Sequence, residues 1–175
     1  MGKISSAILF FCIVMLCCLS SSSFAIMKGF STEELTKASD LVIVGEVENV
    51  EAQWSKDEKT IFTSVYIVIN NIIKGAKKQA IITVEYEGGE MGDIGLQVSD
   101  QSSLIKGEKV ILFLKSGKSK KDGFIYNIVG KNQGKYLIGE DGVARKGGFS
   151  IIGNKDNIDN NIPVDELIEK IKKAE

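Results

Sequence analysis

Two long β-branched, apolar runs joined by a short charged segment most constrain what this chain can fold into. The first run covers residues 41–52 and the second residues 60–73, with Trp54 and Lys56 between them. Runs rich in valine, isoleucine and threonine on either side of a polar turn predict a paired antiparallel hairpin. In the second run both alternating faces are largely apolar, which favours a closed barrel under a covering helix over an open sheet.

Shorter runs of the same kind follow. We predict further strands at residues 80–87, 109–115 and 124–129. A terminal hairpin that turns at Asp-Gly is predicted over residues 135–145. Residues 88–107 show no clean periodicity and contain many turn-forming residues, so a long loop is predicted there.

Two helices are predicted beside the strands. Ser31 and Glu34 have the spacing of a capping box, which predicts a short helix ending near residue 38. Near the C-terminus, Pro163 precedes an apolar stripe at helical spacing, which predicts an amphipathic helix over residues 164–174. The predicted fold class is therefore mainly β: a five-stranded barrel with a short N-terminal helix and a C-terminal amphipathic helix.

The N-terminal segment has the three parts of an export signal. Lys3 provides a positive charge, residues 7–19 are apolar, and Ser23-Phe24-Ala25 places small residues where a signal peptidase reads the chain. The apolar part is shorter than the ~20 residues of a spanning helix, which favours cleavage after Ala25 over an uncleaved anchor. We therefore expect a protein that is secreted, periplasmic or held at the cell surface.

Cysteine and histidine are missing from the expected mature protein. All 3 cysteines of the chain lie in the signal segment, and the chain contains 0 histidines. The absence of these residues removes His- and Cys-dependent nucleophiles and gives little support to zinc or redox chemistry, and we predict no metal and no cofactor. With 22 basic and 23 acidic residues, the chain lacks the charge excess that is typical of nucleic-acid or anionic-membrane binding.

Four short segments carry a family resemblance. They are A-S-D-L-V-I-V-G-E-V, I-I-K-G, K-G-E-K-V-I-L-F-L and V-G-K-N-Q-G-K-Y, at residues 38–47, 72–75, 106–114 and 129–136. They resemble secreted barrels of the netrin-like group, which includes the tissue inhibitors of metalloproteinases, and an uncharacterised group of exported prokaryotic proteins. The resemblance implies an oligonucleotide/oligosaccharide-binding (OB)-like barrel with a Greek-key path. Those inhibitors chelate zinc through an N-terminal cysteine, whereas the first residue expected here is Ile26.

This interpretation divides the chain into three segments. Residues 1–25 are the signal peptide, residues 26–153 the OB-like domain with its terminal hairpin, and residues 154–175 a polar loop and a C-terminal helix packed on the domain. In OB-like barrels the loop between strands one and two and the loop between strands four and five flank the ligand face. We therefore expect those loops to carry the ligand-binding residues.

A tryptophan and several lysines occupy these two loops. The candidate ligand-binding residues are Trp54, Lys56, Lys118, Lys120 and Lys121. An exposed tryptophan beside lysines suits a sugar ring, an acidic polymer or a protein. The alternative is that Trp54 caps the barrel rim and that the lysines only keep the loop soluble.

Acidic residues form a second candidate set. Glu85 and Glu87 share one face of the third strand, and Glu90 and Asp93 follow in the glycine-rich loop. Two carboxyls across a cleft would suit a hydrolase, and several converging oxygens a cation site; otherwise these side chains are simply solvated.

We therefore expect an exported, non-catalytic binding or accessory module at the cell envelope. Its partner would be a protein or polysaccharide held by the barrel loops, with no nucleic-acid ligand and with membrane attachment only through an uncleaved signal segment. One alternative is a protease inhibitor that inserts a loop without chelating zinc. Another is a hydrolase that acts through Glu85, Glu87 or Glu90.

Overall fold

A computed structural model describes residues 29–76, 79–98, 101, 103–120, 123–147 and 158–175, with only the backbone described at residues 118–120 and 123. The predicted signal segment, its cleavage site and the first part of the polar loop lie outside the described residues. Within the described ranges, no helix has the length and apolar character needed to cross a membrane.

The described chain is mainly β, as the sequence predicts. In chain order its elements are α1 (Thr32–Ala38), β1 (Leu41–Trp54), β2 (Ile61–Lys74), β3 (Ile81–Glu87), β4 (Gly89–Met91), β5 (Ile94–Leu96), β6 (Lys109–Lys120), β7 (Gly123–Ile128), the 3₁₀ helix η1 (Lys131–Gly134), β8 (Lys135–Ile138), β9 (Val143–Arg145), β10 (Ile162–Pro163) and α2 (Val164–Lys173). Ser31 and Glu34 form the capping box at the start of α1. α2 follows Pro163 at the predicted position.

Five of these strands form a closed ring. β1 pairs with β2, β2 with β3, β3 with β7, β7 with β6, and β6 returns to β1. The β3–β7 pair is parallel and the other four pairs are antiparallel. β1 closes the ring because its first half lies between β6 and β2, whereas its second half pairs with β2.

β6 separates two apolar cores. Val110 and Leu112 point into the ring and pack with buried residues of β1, β2 and β3. Ile111 and Phe113 point the other way, into a second core that α1 and α2 cover. Both faces of β6 are therefore buried from Val110 to Leu114, which explains the unbroken apolar sequence of that part of the strand.

Residues 88–107 are not the continuous loop that the sequence predicts. They contain the β4–β5 hairpin, whose Gly89 lies so close to Thr63 that a side chain there would overlap the threonine oxygen. Thr63 also donates a hydrogen bond of 2.6 Å to the carbonyl of Gly88. The hairpin thus packs against one end of the ring. Its strands span three residues each, too few for a periodic pattern to show in the sequence.

Candidate ligand-binding face

Alternate residues of β1, β2 and β3 point away from the ring. Thr63, Val65 and Ile67 of β2 are buried inside the ring, so the side chains between them point outward. Residues opposite one another in an antiparallel ladder share a face. We define the outer face by three cross-strand rows, Gln53–Phe62–Glu87, Glu51–Ser64–Glu85 and Asn49–Tyr66–Thr83.

The outer face is acidic. Its charged residues are Glu51, Glu85 and Glu87. In the sequences of β1, β2 and β3 the only basic residue is Lys74, at the end of β2, and its ammonium donates a hydrogen bond of 2.7 Å to the carbonyl of Thr36. These three strands therefore contribute no other basic side chain to the face, and the charge that they place there is negative.

Hydrogen bonds hold the carboxylates of the outer face in place. The hydroxyl of Tyr66 donates to Glu51 at 3.2 Å, and the amide of Asn49 donates to the same carboxylate at 2.9 Å. At the other end, the hydroxyl of Thr60 donates to Glu87 at 3.2 Å. The acceptor oxygens are thus positioned before a ligand arrives, which lowers the entropic cost of binding.

Two aromatic rings lie on either side of the central row Glu51–Ser64–Glu85. Phe62 and Tyr66 are partly buried, and each is two residues from Ser64 on the same face of β2. Aromatic rings beside carboxylates form a surface on which lysine and arginine side chains can stack and pair.

Trp54 is the last residue of β1, where it lies opposite Ile61 with 38% of its surface exposed. Its register places it on the ring side of the strand, at the mouth of the ring and next to the outer face. Lys56 follows in an exposed turn, which the backbone bond from Ser55 to Thr60 closes at 2.7 Å. The structure therefore brings Trp54 and Lys56 together at one end of the sheet.

The other predicted lysines lie at the end of β6, rather than in the predicted loop, and in the β6–β7 connection. The backbones of Lys118 and Lys120 form the end of β6, and Lys121 lies outside the described residues.

This connection does not lie beside Trp54. Phe62, near the β1–β2 turn, is opposite Glu87 at the end of β3. Ile125, near the start of β7, is opposite Thr83, near the start of β3. The two loops thus lie toward opposite ends of β3 and flank the outer face from its two ends.

A cavity of about 490 Å³ adjoins the outer face at the end of β3. Glu87 lines this cavity and also belongs to the outer face, and Glu90 lines it from β4. The backbone amide of Leu104 donates to the hydroxyl of Tyr86, another lining residue, at 3.3 Å. Burial raises the pKa of Tyr86, so its hydroxyl stays protonated at neutral pH. Across the part of the chain that the structure describes, no group of three or more His, Cys, Asp or Glu side chains could hold a metal ion.

A second cavity, of about 390 Å³, is lined by the basic residues Lys135, Arg145 and Lys146. Two of them are already paired. The ammonium of Lys135 lies 2.8 Å from Glu108, and the guanidinium of Arg145 lies 2.5 Å from Asp141. This cavity therefore offers an anion less positive charge than its lining suggests.

The sequence revealed only part of the outer face. The sequence predicted that Glu85 and Glu87 share one face of β3. It did not identify Glu51 and Tyr66 as candidate site residues. The register of β1 against β2 shifts between Val47 and Asn49. This irregularity reverses the alternation of β1, so residue 47 and residue 50 both face the ring, and no periodic pattern in the sequence shows it.

Neither a scan of the chain against models of protein families nor a search of curated proteins finds a match.

Proposed function

We propose that this chain is an exported, non-catalytic binding module of the cell envelope that holds a basic polypeptide on its outer face. One observation carries the proposal: three glutamates and two aromatic rings share one face of β1, β2 and β3. Lysine and arginine side chains suit such a face, because the carboxylates pair with their charge and the rings pack against their stems and cationic ends. Export is supported by the signal pattern of residues 1–25.

We further propose an OB-like path for the five-stranded ring. The order β1-β2-β3-β7-β6 and the parallel β3–β7 pair support it, as does the number of strands. In OB-like barrels the face of strands two and three and the loops beside it form the ligand site. The outer face lies on β2 and β3, Trp54 ends β1, and Lys56 lies in the first of those loops. The netrin-like resemblance agrees with this path and adds no functional residue.

Nucleic acid is an unsuitable ligand for this face. Binding to DNA or RNA draws most of its affinity from basic side chains that neutralise phosphates. The outer face presents Glu51, Glu85 and Glu87 instead. An acidic polysaccharide is disfavoured for the same reason.

The positions of Glu85 and Glu87 favour binding over hydrolysis by that pair. A carboxylate hydrolase holds its two acids on opposite sides of the scissile bond. Glu85 and Glu87 project from the same face of one strand, and their cross-strand neighbours there are Ser64 and Phe62. A protease inhibitor would have to insert the β1–β2 turn that carries Trp54 and Lys56, and inhibition of an added endopeptidase by the purified protein would support that alternative.

The proposal is tested by comparing three fluorescent probes in anisotropy titrations with the purified exported protein. The probes are an oligolysine, an oligothymidine and a neutral oligosaccharide. We expect the oligolysine to bind, with an affinity that falls as salt is added. Tighter binding of either other probe would contradict the proposal.

A further inference from the structure

The second half of β1 has a free edge. β6 pairs with β1 as far as Glu46, and the amide of Val47 then donates to the carbonyl of Glu108 at 2.9 Å. The amide of Gly107 donates back to Val47 at 2.8 Å. Beyond this point β1 continues to Trp54, and among the described residues β2 is its only ladder partner.

Two backbone hydrogen bonds fix the direction of the polar groups along this edge. The amide of Ser55 donates to the carbonyl of Thr60 at 2.7 Å, so these residues form a hydrogen-bonded pair. The amide of Gly88 donates to the carbonyl of Ile61 at 2.8 Å, so Ile61 directs that carbonyl toward β3. Trp54, opposite Ile61, therefore belongs to a pair without hydrogen bonds between β1 and β2.

Hydrogen-bonded and non-hydrogen-bonded pairs alternate along an antiparallel ladder. Glu51 and Gln53 therefore direct their backbone groups toward β2, whereas Val50, Ala52 and Trp54 direct theirs away from it. None of those three outward-directed residues has a further backbone partner within the described chain. We call Val50 to Trp54 the β1 edge.

We propose that the β1 edge binds an extended basic segment of a partner protein by adding it to β1 as a further strand. This inference rests on the proposed function and specifies how the partner is held. Edge strands recruit extended segments because the main chain supplies hydrogen bonds in register, while alternate side chains supply specificity.

Charge selects a basic segment for this edge. Glu48 and Glu51 are both exposed, and the sequence contains no lysine or arginine from residue 41 to residue 55. A second copy of this chain, paired antiparallel through the same edge, would bring these glutamates together, which is unfavourable. Trp54 adds an exposed aromatic surface at the end of the edge for a lysine or arginine side chain.

One substitution should remove a hydrogen-bond donor of the β1 edge without breaking the β1–β2 ladder. Proline has no amide hydrogen, and the amide of Ala52 points away from β2, so Ala52→Pro removes a donor to the added strand while leaving the bonds to β2 in place. Ala52→Ser keeps the amide and is similar in size, and serves as the matched control. Slow hydrogen exchange at Glu51 and Gln53, whose amides bond to β2, verifies that each variant is folded.

The probe is a ten-residue peptide of alternating lysine and valine, compared with the same peptide N-methylated at alternate backbone nitrogens. We expect the first peptide to slow hydrogen exchange at Val50, Ala52 and Trp54 in the purified exported protein. N-methylation of the peptide, or Ala52→Pro in the protein, should weaken binding about tenfold by removing strand hydrogen bonds. Ala52→Ser should bind as the wild type does.

Five results would overturn the inference. The first is that millimolar peptide leaves hydrogen exchange at Val50, Ala52 and Trp54 unchanged. The second is that the N-methylated peptide binds as tightly as the unmethylated peptide. The third is protection of the same amides without peptide in a concentration-dependent dimer, which would assign the edge to a second copy. Binding that perturbs only the outer face would overturn strand addition and leave the proposed function standing. Absence of any binding by lysine-rich probes would overturn both.

Discussion

The ammonium of Lys146 lies 4.5 Å from the centre of the Tyr136 ring, and both side chains are buried. Within the described residues this ammonium has no hydrogen-bond partner. Burial, opposed in part by the charge of Asp159, lowers the pKa of Lys146 to about 8. A cation in this position costs stability, because the ring replaces only part of the lost hydration.

The position of Lys146 predicts that stability rises with pH. Its pKa is about 8 in the folded chain and near 10.5 in the unfolded chain, so over that interval the unfolded state binds more protons. Burial also raises the pKa of Tyr136, which opposes the trend above the ordinary tyrosine value of 10.0. We expect urea denaturation to show a rising free energy of unfolding as pH increases from about 8 toward 10. The same rise in Lys146→Met would contradict this assignment.

Removing the charge of Lys146 should stabilise the protein. We expect Lys146→Met to raise the free energy of unfolding at neutral pH by roughly 1–2 kcal/mol, because methionine fills the site without a desolvated charge. Lys170→Met is the matched control, since the ammonium of Lys170 lies 2.5 Å from Asp159 and its loss should lower stability. Equal changes in the free energy of unfolding for the two substitutions would show that the burial of the Lys146 charge does not destabilise the protein.

Asp159 joins the two helices. The hydroxyl of Thr32 in α1 donates to it at 2.6 Å, and the ammonium of Lys170 in α2 donates to it at 2.5 Å. Burial works against ionisation, but these hydrogen bonds outweigh it and hold the pKa of Asp159 below its ordinary value.

We expect Asp159→Ala to lower the free energy of unfolding by about 1–2 kcal/mol, because Thr32 and Lys170 both lose this acceptor. Since the folded-state pKa is depressed, this stabilisation is complete at neutral pH and is lost as the pH falls below the ordinary aspartate value of 3.8. Thermal melts of the wild type and Asp159→Ala at a series of acidic pH values measure how this stabilisation is lost. Glu140→Ala, at an exposed turn position, should leave both stability and its acid dependence unchanged.

Gly45 allows β1 to approach β2. A Cβ at this position would lie 2.6 Å from Cγ2 of Ile67 and 2.7 Å from the carbonyl oxygen of Val68. The carbonyl belongs to the backbone of a central strand and cannot rotate away. We expect Gly45→Ala to lower the free energy of unfolding by about 1–3 kcal/mol. Gly95→Ala, where the nearest atom would be 3.7 Å away, should cost far less in the same denaturation experiment.

The class of fold and the positions of the ring strands followed from local patterns. The apolar run of β6 predicted a buried strand because its alternate residues enter different cores, as Leu112 and Phe113 do. The capping box of α1 was predictable because Ser31 and Glu34 are neighbours in the chain. The β4–β5 hairpin escaped prediction because its strands span three residues each.

The remaining features depend on contacts between residues that are far apart in the sequence. Asp159 bonds to a threonine 127 residues away, and no spacing rule identifies such a partner. The outer face depends on how β1 registers with β2, and the irregularity near Asn49 decides which side Glu51 takes. The β1 edge depends on where β6 stops pairing with β1, which the sequence of β1 alone does not reveal.

We propose that the outer face, rather than the overall charge of the protein, holds a basic ligand. The most direct test measures oligolysine affinity in two charge-matched double variants. Glu85→Gln with Glu87→Gln alters the outer face, whereas Glu140→Gln with Glu175→Gln removes the same charge from exposed positions elsewhere. We predict about tenfold weaker binding for the first pair and nearly unchanged binding for the second. Equal weakening in both variants, or none in either, would contradict the account.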